Sequence, residues 1–292
     1  MPDISRIIAR AKNLPPLSPG AQKLLTLMGG DHPDLGQVVT LVECDPGLTA
    51  QVLQVVNSPA IGLRTPIASL ARAVTYLGES LVVGMAMAAS APQVLHRTLD
   101  GYLSPRGAMW AHSLKAALAS RRLCVHARAA ISPDVAFTAG LLHDIGKAVL
   151  SEFLVDYQEN LLAGLTREGP ADYLAAEAAA TGVDHCRVGA ELARHWNLPA
   201  NLGAAIRHHH QPALAPPAHR SLAYLVHLGD ITAMLSGSGT GLDALCYRLD
   251  RNYAAHLRLG SRDLEKIMME VYEEFATMQN ALWGGEDDGP AA

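Results

Sequence analysis

The chain has 292 residues, 49% hydrophobic and 17% charged, with a formal net charge of −5. This composition fits a globular protein with a sizeable core and excludes a disordered chain, while the acidic balance supplies no bulk attraction to nucleic acid or an anionic membrane. The cysteines, Cys44, Cys124, Cys186 and Cys246, form no CxxC motif, which excludes a zinc ribbon or dithiol redox motif and suits a reducing cytoplasm.

The N-terminus, with Asp3 and Arg6, has no signal-peptide core. Ser5 to Lys12 is expected as a first helix, ended by Asn13 and Pro15-Pro16. Ser18-Pro19 opens a second, stopped by Gly29-Gly30, and Asp34 precedes a third over Leu35–Glu43. Gly47 to Val56 follows and is broken by Asn57-Ser58-Pro59, where the Asn57 side chain is expected to close the turn. Ser69–Leu77, stopped by Gly78, and Leu81–Ala91 complete a bundle of short helices. The most apolar run, Leu81–Leu95, contains Gly84 and Pro92 and is too short to span a bilayer.

Gly101–Gly107 reads as a junction between a helical subdomain over 1–100 and a second over 101–237, meeting near residues 95 to 108. Helical patterns then run from Met109 to about Arg128, over Val135–Leu142, from Lys147 to Tyr157, over His185–His195, from Leu198 to the His208-His209-His210 run, and over Ala218–Leu235. C-terminal helices are expected within 238–283 (Leu242–Asn252 and Ser261–Trp283), and a disordered tail over 284–292. No stretch alternates with period two for long enough to make a strand, so the fold class is all-α.

The chain is organised around Gly140-Leu141-Leu142-His143-Asp144-Ile145-Gly146-Lys147. A vicinal His-Asp pair can place an imidazole nitrogen and a carboxylate oxygen on one metal, or on two bridged by the carboxylate. Gly146 allows close approach of the backbone to a ligand, and the Lys147 charge suits phosphate. Separate helices put His112, His185 and Asp230 on faces that are otherwise apolar, and His208-His209 end another. An unpaired carboxylate facing a core is very costly. Five imidazoles and two carboxylates on convergent helices are best satisfied around one or two divalent metals. The candidate ligands are therefore His112, His143, Asp144, His185, His208, His209 and Asp230; a one-residue shift of helix end would bring in His210 instead of His208 or His209.

The order of these residues resembles the HD superfamily of metal-dependent phosphohydrolases, and the chain from Leu14 to Pro212 resembles its HDOD branch. The resemblance rests on Leu14-Pro15-Pro16-Leu17-Ser18, Glu43-Cys44-Asp45-Pro46-Gly47-Leu48-Thr49, Val56-Asn57-Ser58-Pro59 and Ala73-Val74-Thr75-Tyr76-Leu77-Gly78. It continues in Trp110-Ala111-His112-Ser113, the central His143-Asp144 motif, His185-Cys186-Arg187-Val188-Gly189-Ala190, Trp196-Asn197-Leu198-Pro199 and Ile206-Arg207-His208-His209. It implies an N-terminal bundle of short helices packed on an HD-like core, and a bacterial signalling role usually without demonstrated catalysis. Many HDOD proteins have lost parts of the metal-binding set, whereas every position resembling a ligand of the related HD-GYP phosphodiesterases is filled here. The tail signature differs. His209 is followed by His210-Gln211-Pro212-Ala213, with no Glu after the His pair and no Gly-Tyr-Pro, which argues against cyclic di-GMP hydrolysis.

Two functions follow as expectations. One is a non-catalytic cytoplasmic regulatory module with one or two divalent ions (Fe, Mn, Zn or Mg), acting through a signalling protein or a nucleotide-type ligand and not through nucleic acid or membrane. The other is a metal-dependent phosphohydrolase in which Asp144 and Lys147 serve catalysis, the lysine offsetting phosphoryl charge.

Overall fold

Every regular element among the described residues is helical, and strand-like pairing is limited to two isolated antiparallel bridges, Leu99 with Ser104 and Ala127 with Leu257. The computed structural model describes residues 4–13, 19–28, 35–43, 49, 52–53, 55–57, 61, 63, 66–78, 82, 97–159, 161, 173–238, 241–243, 246–260 and 262–283. The expected helix Leu81–Ala91, apart from Val82, and the tail over 284–292 lie outside them. No helix among the described residues is long and apolar enough to cross a membrane.

The first hundred residues contribute α1 (Ile4–Lys12), α2 (Pro19–Met28), α3 (Leu35–Glu43) and α4 (Leu70–Leu77). The rest of the chain supplies α5 (Ala108–Leu123), α6 (Pro133–Leu142), α7 (Lys147–Leu154), α8 (Tyr173–Thr181), α9 (His185–His195), α10 (Ala200–His208), α11 (Arg220–Leu235) and α12 (Asp263–Trp283). Local chemistry sets several ends. Pro133 opens α6 where its missing N–H costs nothing. The Asp184 carboxylate accepts from Arg187 N at 2.7 Å and caps α9. Gly78, at φ 82°, ends α4.

The N-terminal helices dock on the second half through α1, which buries Ile7 and Ala11 and packs on α9 and α7. Arg10 pairs with Glu152 of α7 at 2.8 Å, and Gln22 of α2 donates to the Trp196 carbonyl at 2.9 Å. The centre of the second half is α5, buried on nearly all sides between α6 and α11, with α12 laid along it through Arg121–Glu274 and Arg122–Glu270.

Small residues set how closely these central helices approach. A Cβ on Gly140 of α6 would lie 2.8 Å from Ala117 Cα and 2.9 Å from Ala116 O, and one on Gly229 of α11 would lie 2.8 Å from the same Ala116 carbonyl. Three helices thus meet at one turn of α5. His112 lies one turn before Ala116, His143 one turn after Gly140, and Asp230 directly after Gly229, so the same contact gathers ligands from three helices.

The helix expected over Leu242–Asn252 does not form. Gly241–Asp243 are turn or bend, 246–250 have no helical structure, and a short 3₁₀ segment follows at Arg251–Ala255. Tertiary bonds override the local pattern here. Leu242 N donates to Tyr102 O at 2.8 Å, Asp243 pairs with Lys147, and Tyr247 stacks on His210 with centroids 3.6 Å apart.

Asn57 ties the 53–67 segment to itself within the N-terminal half. Its Nδ2 donates to Leu53 O at 2.9 Å and Ile67 O at 2.8 Å, and its Oδ1 accepts from Ile67 N at 2.7 Å. Asn57→Ala removes all three and is expected to lower unfolding free energy by about 1–3 kcal/mol, with Asn57→Asp, which keeps the acceptor, in between. Urea unfolding measures this, and an unchanged midpoint in the alanine variant would count against the role.

Candidate metal centre

His112 of α5, His143 and Asp144 after α6, His185 at the start of α9, His209 after α10 and Asp230 of α11 converge, each at most 1% exposed. His112 Nε2 is 3.0 Å from Asp230 Oδ1 and 3.3 Å from His143 Nε2. Asp144 lies in the middle. Its Oδ2 is 3.6 Å from His112 Nε2 and 3.5 Å from His143 Nε2, and its Oδ1 is 3.4 Å from His185 Nε2 and 3.5 Å from His209 Nε2. Each carboxylate oxygen therefore faces its own pair of histidines.

The outer ring nitrogens fix the tautomers. Nδ1 of His112 faces Ser238 O at 2.5 Å, that of His143 faces Gly140 O at 2.6 Å, and that of His209 faces Ile206 O at 2.9 Å. Nδ1 of His185 faces Glu177 Oε2 at 2.8 Å. A carbonyl or carboxylate oxygen can only accept, so all four rings donate through Nδ1, and each neutral ring directs its Nε2 lone pair inward. Four such lone pairs and the oxygens of two aspartates then face one another, and Asp144 Oδ1 and Asp230 Oδ2 have no hydrogen-bond donor. A buried arrangement of acceptors alone is repulsive and needs protons or cations between its members.

The dimensions suit a cation. Ligand atoms at about 2.0–2.3 Å from a metal stand about 3.0–3.7 Å from one another, and the separations above run from 3.0 to 3.6 Å. Outer-layer acceptors that orient histidines are what metal-ligating imidazoles require, so the residues fit a divalent ion. When bound, such an ion can polarise an oxygen ligand or acidify a water.

The electrostatics point the same way. Burial resists ionisation of Asp144, yet His143 and Lys147, followed by His209 and His185, hold its carboxyl well below the usual range. Asp230 is likewise depressed against burial, by hydrogen bonding to His112 and His143. Burial would lower the His209 ring, but Cys186 and Asp144 raise it to about 10. Protons and cations thus compete for the same inward nitrogens.

His208 does not join the cluster. The buried face of α10 runs Leu202, Ala205, Ile206 and on to His209, the i, i+3, i+4, i+7 pattern. His208 falls between these positions and is half-buried beside Arg207. The inward pair is His209 and His210, the second with its side chain 3% exposed and Nδ1 3.5 Å from Asp230 Oδ2. Lys147 is brought to the centre but is not open. Its Nζ lies 2.6 Å from Asp144 Oδ2 and is also bonded to Asp243, and these two carboxylates raise its pKa against the effect of burial.

The sequence reading missed Glu177, Asp243, Tyr247 and Cys186. Glu177 is fully buried, accepts from Tyr102 OH at 2.6 Å and from His185 N at 2.8 Å, and orients the His185 ring. Its signal was available, because it is the single charged residue of the apolar helix α8. Glu177→Ala is expected to weaken metal binding by about 10–100-fold, read by titration against a competing chelator. An unchanged affinity would remove Glu177 from the outer layer.

Known proteins fit this architecture. The HDOD domain model matches residues 14–212. An uncharacterized protein of Treponema pallidum is 27% identical over 207 residues, covering 69% of this chain but 39% of that protein, so the chain spans about two fifths of its curated relative. A Marinobacter aquaeolei VT8 protein, provisionally described as a signal transduction protein, is 25% identical with a TM-score of 0.74, over 93% of this chain and 59% of that one. Two more are similar in fold. One is an HDOD domain protein of Geobacter sulfurreducens (21% identity, TM-score 0.65, covering 96% and 98% of the two chains). The other is a Shewanella amazonensis SB2B protein provisionally described as a phosphohydrolase (22%, 0.66, covering 94% and 97%). With the family model matching well over half its length, the chain belongs to the HDOD domain family.

Proposed function

We propose that this protein is a cytoplasmic regulatory module of bacterial signal transduction whose buried divalent-metal centre holds the helical core together and does not hydrolyse phosphodiesters. One observation carries the reading: Lys147 is 1% exposed and bonded to Asp144 and Asp243. The anionic position over Lys147 that a phosphoryl group would need is filled by a carboxylate of the same chain. The segment that delivers Asp243 also covers the ligands, with Ser238 O on His112 and Tyr247 on His210. Metal binding here stabilises the fold by linkage, since the ligand set exists only when the helices are assembled. Output goes through a signalling protein or a nucleotide-type ligand, with the N-terminal helices as the contact surface.

A phosphohydrolase is the second reading, favoured by the Asp144 carboxylate, whose two oxygens face separate histidine pairs as a metal-bridging ligand would. In that case Asp243 must move away to free Lys147.

The test is a panel of cyclic dinucleotides, nucleotides and a generic phosphodiester, with Mn²⁺, Fe²⁺, Zn²⁺ or Mg²⁺, on the wild type, Asp144→Ala, Lys147→Ala and Asp243→Asn. The regulatory reading expects no turnover in any of them, and in Asp144→Ala loss of bound metal with a lowered melting temperature. Metal-dependent turnover that disappears in Asp144→Ala and falls in Lys147→Ala, with metal retained in the latter, would establish the enzyme instead.

A further inference from the structure

Beside His185 and His209 the centre contains a sulphur atom that the expected ligand set does not include. Cys186 is 1% exposed. Its Sγ lies 3.5 Å from His185 Nε2, and 3.8 and 3.9 Å from the two ring nitrogens of His209. A thiolate at about 2.3 Å and an imidazole at about 2.0 Å from a tetrahedral metal stand about 3.5 Å apart. The placement follows from the start of α9, where His185 and Cys186 are consecutive and both turn inward below the Asp184 cap.

A second observation points to the same place. The His210 side chain is 3% exposed, and neither of its ring nitrogens has a hydrogen-bond partner. Its ring stands 4.0 Å from that of His209 and 5.2 Å from that of His185, centroid to centroid. One ligand atom each from His185, Cys186, His209 and His210 lies within 4.8 Å of the other three. An imidazole buried with two unsatisfied nitrogens costs free energy that a metal bond would offset.

Resting on the reading of the cluster as a metal centre, we propose that Cys186 is a metal ligand and, with His185, His209 and His210, forms a thiolate-bearing half that takes Zn²⁺ or Fe²⁺ in preference to Mg²⁺ or Mn²⁺. The half built from His112, His143 and Asp144, with Asp230, presents only nitrogen and oxygen and accepts harder ions; one Cys distinguishes the two, because thiolate selects softer metals.

The experiment uses the full-length protein, stripped with chelator and reloaded. Zinc X-ray absorption of the wild type should show a sulphur scatterer at about 2.3 Å, and Co²⁺ loading should give a thiolate-to-cobalt charge-transfer band in the near ultraviolet. Cys186→Ser should lose that band and bind Zn²⁺ roughly tenfold or more weakly, with Mn²⁺ affinity unchanged. Metal bound with only nitrogen and oxygen scatterers overturns the Cys186 assignment and leaves the metal centre standing. No metal bound by the wild type overturns both. The wild-type spectra decide the matter even where Cys186→Ser fails to fold.

Discussion

Four imidazole nitrogens and two aspartates are turned toward one another at the middle of the second half, with every ring's other nitrogen already committed to an oxygen. With the rings neutral this arrangement cannot be satisfied by packing, because each group turns a lone pair or negative charge inward and only protons or cations placed between them relieve the repulsion. Apolar contact from the surrounding helices makes it worse by excluding water. A positive charge at the centre is therefore a condition of the fold as much as of any function. Lys147 supplies part of it from the Asp144 side, and a divalent cation of the right size would supply the rest.

The surrounding structure positions this charge. Gly140 and Gly229 let α6 and α11 close on the same turn of α5, which shortens the reach of His143 and Asp230 toward His112. Gly146 does the same on the other side, where a Cβ would run into the His185 carbonyl and lie 2.6 Å from Gly189 N, so α7 and α9 can meet. A larger residue at any of these points would push apart the helices that carry the ligands. Glu177 and Tyr102 then make an outer layer around His185. Stability and ligand geometry are consequently coupled, and changes in the glycine contacts should move both together.

The helical class and most of the cluster were legible in the sequence because they depend on local periodicity and on residue chemistry. His112, His185 and Asp230 stand out as polar residues on helix faces that are otherwise apolar, and His143-Asp144 as a vicinal pair at a helix end. The failure at His208 came from the helix terminus. His209 continues the apolar stripe of α10 and His210 enters from the turn beyond, where no periodicity applies. Asp243 and Tyr247 were invisible for a different reason. Their segment has the local pattern of a helix, and only bonds to Lys147, Tyr102 and His210, distant in the chain, pull it into a cover. The sulphur of Cys186 was overlooked because a single cysteine carries no spacing signal.

The cover also separates the two functional readings on physical grounds. Asp243 accepts from Tyr247 OH at 2.9 Å while paired with Lys147, and Lys147 Nζ lies 5.4 Å from the centre of the Tyr247 ring. Opening this segment would expose a buried carboxylate and a buried ammonium and break the Tyr247–His210 stack at one stroke. Separating one partner of a buried pair costs about 3–5 kcal/mol when the other remains buried, so a closed state should dominate unless something replaces Asp243. A phosphoryl oxygen could do so charge for charge, but it must compete with a carboxylate tethered within bonding distance, whose effective concentration is high. A ligand that only matches Asp243 will therefore not open the centre. Hydrolysis would need a substrate that also gains contacts with the open form, whereas regulation needs only a partner that senses whether the cover is in place.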